Sequence, residues 1–214
     1  EIEKIETHKL DDIKFLFWRN SNLNFKNPED LIRSLEKKPN SRNFFKISDS
    51  IDENVLKYLV RDKKVKFSDD NLNLLWECCQ IPDFQKKAYT HIDVVQKVFN
   101  FLISKKNRLP NDYMKSQLRG LDKYKGNIDM ISNKISNVRT WSYVANKKNW
   151  VENSDYWIQL SKNIEDNLSD KLHNELTRSF IDKRISVLSR GLKQDIKLNT
   201  EINSSDEVII DGQL

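Results

Sequence analysis

The second half of the chain interleaves strong cations with aromatic rings. NVRTWSYVANKKNW sets Arg139 close to Trp141, Tyr143, Lys147 and Lys148, and Arg178, Lys183, Arg184, Arg190 and Lys193 follow downstream. Arg and Lys neutralise phosphates, and aromatic faces stack on unpaired bases, at about 1–3 kcal/mol per base. The pattern is therefore that of a polyanion contact. Each residue also has an ordinary reading. Trp141 continues the apolar stripe Ile131, Ile135, Val138 and so reads as core, as do Trp76 and Trp157. Asp182 adjoins Lys183 and Arg184, and Glu175 lies one turn before Arg178, so ion pairs within a solvated helix face would also account for the cations.

The element that must position most of these residues is a long helix starting near Ser154. Its apolar stripe changes sides. Ile164, Leu168, Leu172, Leu176 and Phe180 recur every four residues and drift round a helix of 3.6 residues per turn. From Ile181 the stripe is Ile181, Ile185, Leu188, Leu192, roughly on the opposite side, with Lys183 and Arg190 pointing away from it. A helix that offers one face early and another late bridges two neighbours.

The rest of the chain punctuates itself into further helices. Asn27 and Pro28 open a helix that carries Glu29 and Asp30 in its first turn and ends in Lys37, Lys38 and Pro39. Leu10, Ile13, Leu16 and Phe17 give a helix ending near Trp18. Val55, Leu56, Leu59 and Val60 mark another, and Ser68 caps one that buries Leu72, Leu75, Trp76 and Cys79 before Pro82. THIDVVQKVFNFLISKK turns Val94, Val95, Val98, Phe99 and Leu102 inward. Pro110 opens a helix with Tyr113, Met114, Gln117 and Leu121, and a further one follows Gly126. After Leu192 the periodicity fades. EVII then reads as a strand leading into Asp211-Gly212, a strong hairpin signal, whose return strand would lie past the last residue.

Composition agrees with helices. Hydrophobic residues make up 37% and charged residues 32%, the mean hydropathy is -0.73, and there are only four Gly and four Pro. Ten Phe and five Trp are too many for a disordered chain. The net charge of +5 tolerates a polyanion partner without requiring one. Several chemistries find no support. With Gly120, Gly126, Gly191 and Gly212 the only glycines, no phosphate-cradling loop can be assembled, and no GxSxG, HExxH or Cys/His metal set occurs. Adjacent Cys78 and Cys79 form neither a disulfide staple nor a CxxC pair. Asp11-Asp12 and Asp69-Asp70 fall at helix starts, where the helix dipole accounts for them. No apolar run approaches the ~20 residues that span a membrane.

Three segments, in order along most of the chain, resemble one family. HKLDDIKFLFWRNSNLNF (8–25), LLWECCQIPDF (74–84) and IDMISNKISNVRTWSYVANKKNW with LSDKLHNELTRSFIDKRISVL (128–188) are similar to mitochondrial degradosome RNA helicases of the suppressor-of-Var type, above all their alphaproteobacterial relatives. In that family two RecA-like domains bind and hydrolyse ATP, and the matching segments follow the second.

The resemblance implies the C-terminal, non-motor portion of a superfamily-two helicase, bacterial and cytoplasmic. The expected fold is all-α, a multi-helix accessory bundle with a short tail that begins a β-hairpin. Residues 1–40 would lead out of the absent second RecA-like domain, 41–192 would form the bundle and 193–214 the tail. ATP and Mg would belong to the parent protein, no cofactor to this portion, and no hydrolysis is expected of it alone. Its partners would be its own motor and a strand of RNA or single-stranded DNA, contacted through Arg139, Arg178, Lys183, Arg184 and Arg190. A second reading makes it a helical interaction module that recruits a protein such as an exoribonuclease.

Overall fold

The computed structural model describes residues 16–48, 50–61, 69–123, 127–194, 200–202 and 208–210. Its helices are α1 (Pro28–Leu35), α2 (Ile51–Arg61), α3 (Leu72–Cys79), α4 (Ala88–Leu102), α5 (Asn111–Leu118), α6 (Ile128–Asn146) and α7 (Ser154–Gln194). The fold is all-α in its core, with a parallel strand pair near the start, β1 (Leu16–Trp18) and β2 (Phe44–Lys46), and an antiparallel pair in the tail, β3 (Thr200–Ile202) and β4 (Val208–Ile210).

Two expectations fail at the strands. The helix expected to end near Trp18 is instead β1, paired with β2 from Leu16↔Phe44 to Trp18↔Lys46; Leu10 and Ile13 lie outside the described residues. A short apolar run such as LFW fits strand and helix equally well, and a second apolar run, FFK, is placed beside it by the α1 crossover. In the tail, Val208–Ile210 pairs backward with Thr200–Ile202. EVII thus holds the second strand of the hairpin rather than the first, and Asp211-Gly212 falls outside the described residues.

The helix ends follow their sequence signals closely. At α1 the Asn27 Oδ1 accepts from the Asp30 N–H at 2.7 Å, and Pro28 occupies the first turn. At α6 the Asn127 Oδ1 accepts from the Met130 N–H at 3.0 Å. α3 differs: a short 3-10 turn, Asp69–Asn71, precedes it, and Asn71 gives no side-chain cap, while Ser68 lies outside the described residues. Replacing Asn27 by Ala removes an acceptor that the first turn needs, and is expected to cost about 1 kcal/mol, read as a lower midpoint in urea unfolding with an unchanged slope.

Burial gathers α1 to α7 into one core. α1 packs on α2, α2 on α3 and α4, α5 on α6, and α6 along α7. Leu31, Leu56, Leu75, Cys78, Cys79, Val98, Phe99, Trp141 and Leu168 are all buried within it. Burial also pushes both thiols upward in pKa, so Cys78 and Cys79 behave as small apolar residues. The Leu109 N–H donates to the Trp150 carbonyl at 2.8 Å, tying the loop after α4 to the loop after α6.

Candidate nucleic-acid interface

α7 is 41 residues long, about 60 Å at 1.5 Å per residue, and it outruns its partner. Trp157, Ser161, Ile164 and Leu168 are buried against the core and Leu172 packs at its margin. There the cover ends. Leu176 is 48% exposed, Phe180 55%, Ile181 49% and Ile185 58%. The cause is geometric: α6 runs antiparallel to α7, and Asn127, Ile128 and Asp129 at its start already lie beside Glu175–Ser186. The later stripe has no neighbour among the described residues. Leu188, Arg190 and Leu192 are on the last turns of α7, where their side chains are not among those described.

The cations of the sequence reading divide by position. Arg139 is used inside the bundle, where its Nε donates to Glu165 Oε1 at 2.7 Å and staples α6 to α7. Arg178 and Lys183 flank the shallow groove between the start of α6 and late α7, and neither reaches a carboxylate within 4 Å among the described residues. Asp129, Glu175 and Asp182 line the same groove, so it is mixed in charge rather than a basic channel. Arg184 lies with its guanidinium carbon 4.4 Å from the centre of the Phe180 ring. An exposed ring capped by a guanidinium presents two flat surfaces and a charge together.

Trp76, Trp141 and Trp157 are buried, as the sequence implies, and Trp150 in the loop after α6 is buried as well. Lys147 stands over the Tyr143 ring at 5.2 Å and the Trp150 ring at 5.8 Å. Because the loops after α4 and α6 are tied together, Lys105, Lys106 and Arg108 come to the same end of the bundle as Lys147 and Lys148. No local sequence signal links the first three to this end, since only the Leu109–Val151 bridge makes them neighbours. α6 separates this basic end from the groove by 19 residues, about 28 Å.

A catalytic reading needs titratable groups converging on a pocket. The best case among the described residues is a cavity of about 140 Å³ lined by His91, Asp83, Lys87, Thr90, Asn137 and Thr140. His91 is buried, bonds to the Ile81 backbone, and leaves Nε2 without a partner. Burial holds its pKa below the ordinary value, against the nearby Asp83 charge. The folded state therefore binds the proton less readily than the unfolded chain, and stability falls as pH drops below about 6.5. His91→Gln is expected to flatten that part of the stability–pH curve, measured by urea unfolding between pH 5 and 8. No group of three or more His, Cys, Asp or Glu that would hold a metal occurs among the described residues, and no described helix is long and apolar enough to cross a membrane. Compared with protein-family models, curated proteins and solved structures, the chain matches none.

Proposed function

We propose that this chain is the non-motor helical portion of an ATP-dependent RNA or DNA helicase, in which late α7 docks on the motor and contacts the translocating strand. One observation carries the reading: from Leu176 onward α7 leaves its own bundle, with half-exposed apolar residues and with Arg178, Lys183 and Arg184 that have no carboxylate partner among the described residues. The early stripe serves the domain's own core as far as Leu172, and Leu176, Phe180 and the late stripe are left for a second layer. The ordered resemblance of three segments to degradosome helicases supplies the partner, a motor that would bring ATP and Mg. Arg139 contributes to holding α6 on α7 and supports the strand contact indirectly.

A second reading draws on the same helix. The groove beside Arg178 mixes three carboxylates with its cations, and Phe180, Ile181 and Ile185 stand half exposed nearby. That combination also suits a protein partner, such as an exoribonuclease, docking a helix. Fluorescence anisotropy of a labelled single-stranded RNA and its DNA counterpart, titrated with the protein at several salt concentrations, separates the two. A strand contact weakens steeply with salt because each phosphate contact releases counterions. Absence of binding even at low salt would overturn the strand contact and leave the protein module.

A further inference from the structure

The strand pair near the start of the fold is exposed on both faces. Parallel strands are normally covered on both sides, yet Phe17 is 82% exposed, and Phe44, 38% exposed, faces a groove. Pairing in register puts Trp18 and Phe44 on one face of the ribbon and Phe17 and Phe45 on the other. Between the first face and the end of α1 lies a groove of about 310 Å³, edged by Lys37, Lys38 and Asn40, in the size range of pockets that take small ligands, about 300–1,000 Å³.

Charge at this place is uneven. Three neighbouring cations are paired with carboxylates: Arg19 with Asp52 at 2.7 Å, Lys46 with Glu53 at 3.5 Å, and Lys57 with Glu36 at 2.7 Å. Lys37 and Lys38 reach no carboxylate among the described residues, and no acid lines the groove. Its floor is fixed. Asn20 is buried, its Nδ2 donates to the Ser34 carbonyl at 2.8 Å and to the Asn22 carbonyl at 3.0 Å, and its Oδ1 accepts from the Asn22 N–H at 3.2 Å. The ribbon is thereby tied to α1 in a set position.

We propose that this groove binds single-stranded nucleic acid, one base lying against Trp18 and Phe44 while Lys37 and Lys38 hold the flanking phosphates. Aromatic faces beside uncommitted ammonium groups, with no competing acid, are what such a strand requires. An apolar peptide would use the rings and leave the lysine pair idle. The site shares its ligand class with the strand contact on α7 and none of its residues.

The molecule carries its own probe. Of its five Trp, Trp76, Trp141, Trp150 and Trp157 are buried and Trp18 is only partly so. Titration with oligouridylate and oligothymidylate is expected to quench the Trp18 emission in a salt-dependent way. Trp18→Phe keeps an aromatic face, and should bind by anisotropy without the quench. Lys37→Glu/Lys38→Glu should weaken the quench titration by about tenfold or more at low salt with an unchanged circular dichroism spectrum. Repeating it in Lys183→Glu/Arg184→Glu separates the two sites, because the quench should persist there. Binding without a quench, a quench that Trp18→Phe retains, or a quench indifferent to the lysine reversal or to salt would overturn the groove as the site while leaving the α7 contact standing. A quench together with anisotropy unaffected by Lys183→Glu/Arg184→Glu would do the reverse.

Discussion

Trp141→Ala is expected to lower the unfolding free energy by about 3–5 kcal/mol, the usual range for truncating a large buried aromatic. The ring is 1% exposed, so its removal leaves a void within the packed core. It meets the Tyr113 ring edge-to-face, with centroids 5.6 Å apart and planes at 82°, and Tyr113 in turn packs on Phe101 at 4.8 Å between centroids. One side chain therefore couples α4, α5 and α6. The indole Nε1 also donates to Asn137 Oδ1 at 3.0 Å, one turn earlier on α6, and that amide loses a partner in the variant. Trp141→Phe keeps most of the ring and should cost clearly less. Urea unfolding followed by circular dichroism reads both. Near-native stability in Trp141→Ala would mean that the ring is not where the structure puts it.

Lys183→Glu/Arg184→Glu is expected to weaken the strand contact on late α7 by at least tenfold at low salt while leaving the fold intact and the groove beside Trp18 still able to bind. Each phosphate contact on a single strand contributes about 0.7 to the slope of log K against log salt, so losing two should flatten it by about 1.4. Reversal also adds two repulsive charges beside Asp182, so the loss exceeds that of neutral substitutions. Stability should change little. Neither cation pairs with a carboxylate among the described residues, and the Arg184–Phe180 contact at 4.4 Å is solvent-exposed, worth about 0.5–1 kcal/mol. Isothermal unfolding beside the anisotropy titration distinguishes a lost contact from a lost fold.

The helices were legible because their signals are local. Asn27 with Pro28 and the acids after them, and the Ile164–Leu172 spacing, need no tertiary knowledge to interpret. The change of face along α7 was equally legible, but Leu176 and Phe180 of the first stripe stand as exposed as Ile181 and Ile185 of the second, because α7 outruns α6 and not because the stripe changes sides. What escaped depends on pairing. LFW at 16–18 is a strand only because FFK is brought alongside, and EVII is a second strand only because TEI precedes it. The groove beside Trp18 was hidden for the same reason, since Lys37 and Lys38 read simply as charges complementing the end of α1. Arg139 shows the opposite limit. Its spacing among aromatics resembled a phosphate contact, while a carboxylate 26 positions away, Glu165, engages it in space.

Photocrosslinking would show whether late α7 faces a nucleic-acid strand. A 4-thiouridine-labelled single-stranded RNA would be irradiated with the protein at low salt and the crosslinked peptides mapped by mass spectrometry. Crosslinks are expected within residues 176–186, lost on raising salt and lost in Lys183→Glu/Arg184→Glu. RNA that crosslinks elsewhere on the molecule and never within that segment would contradict the α7 contact.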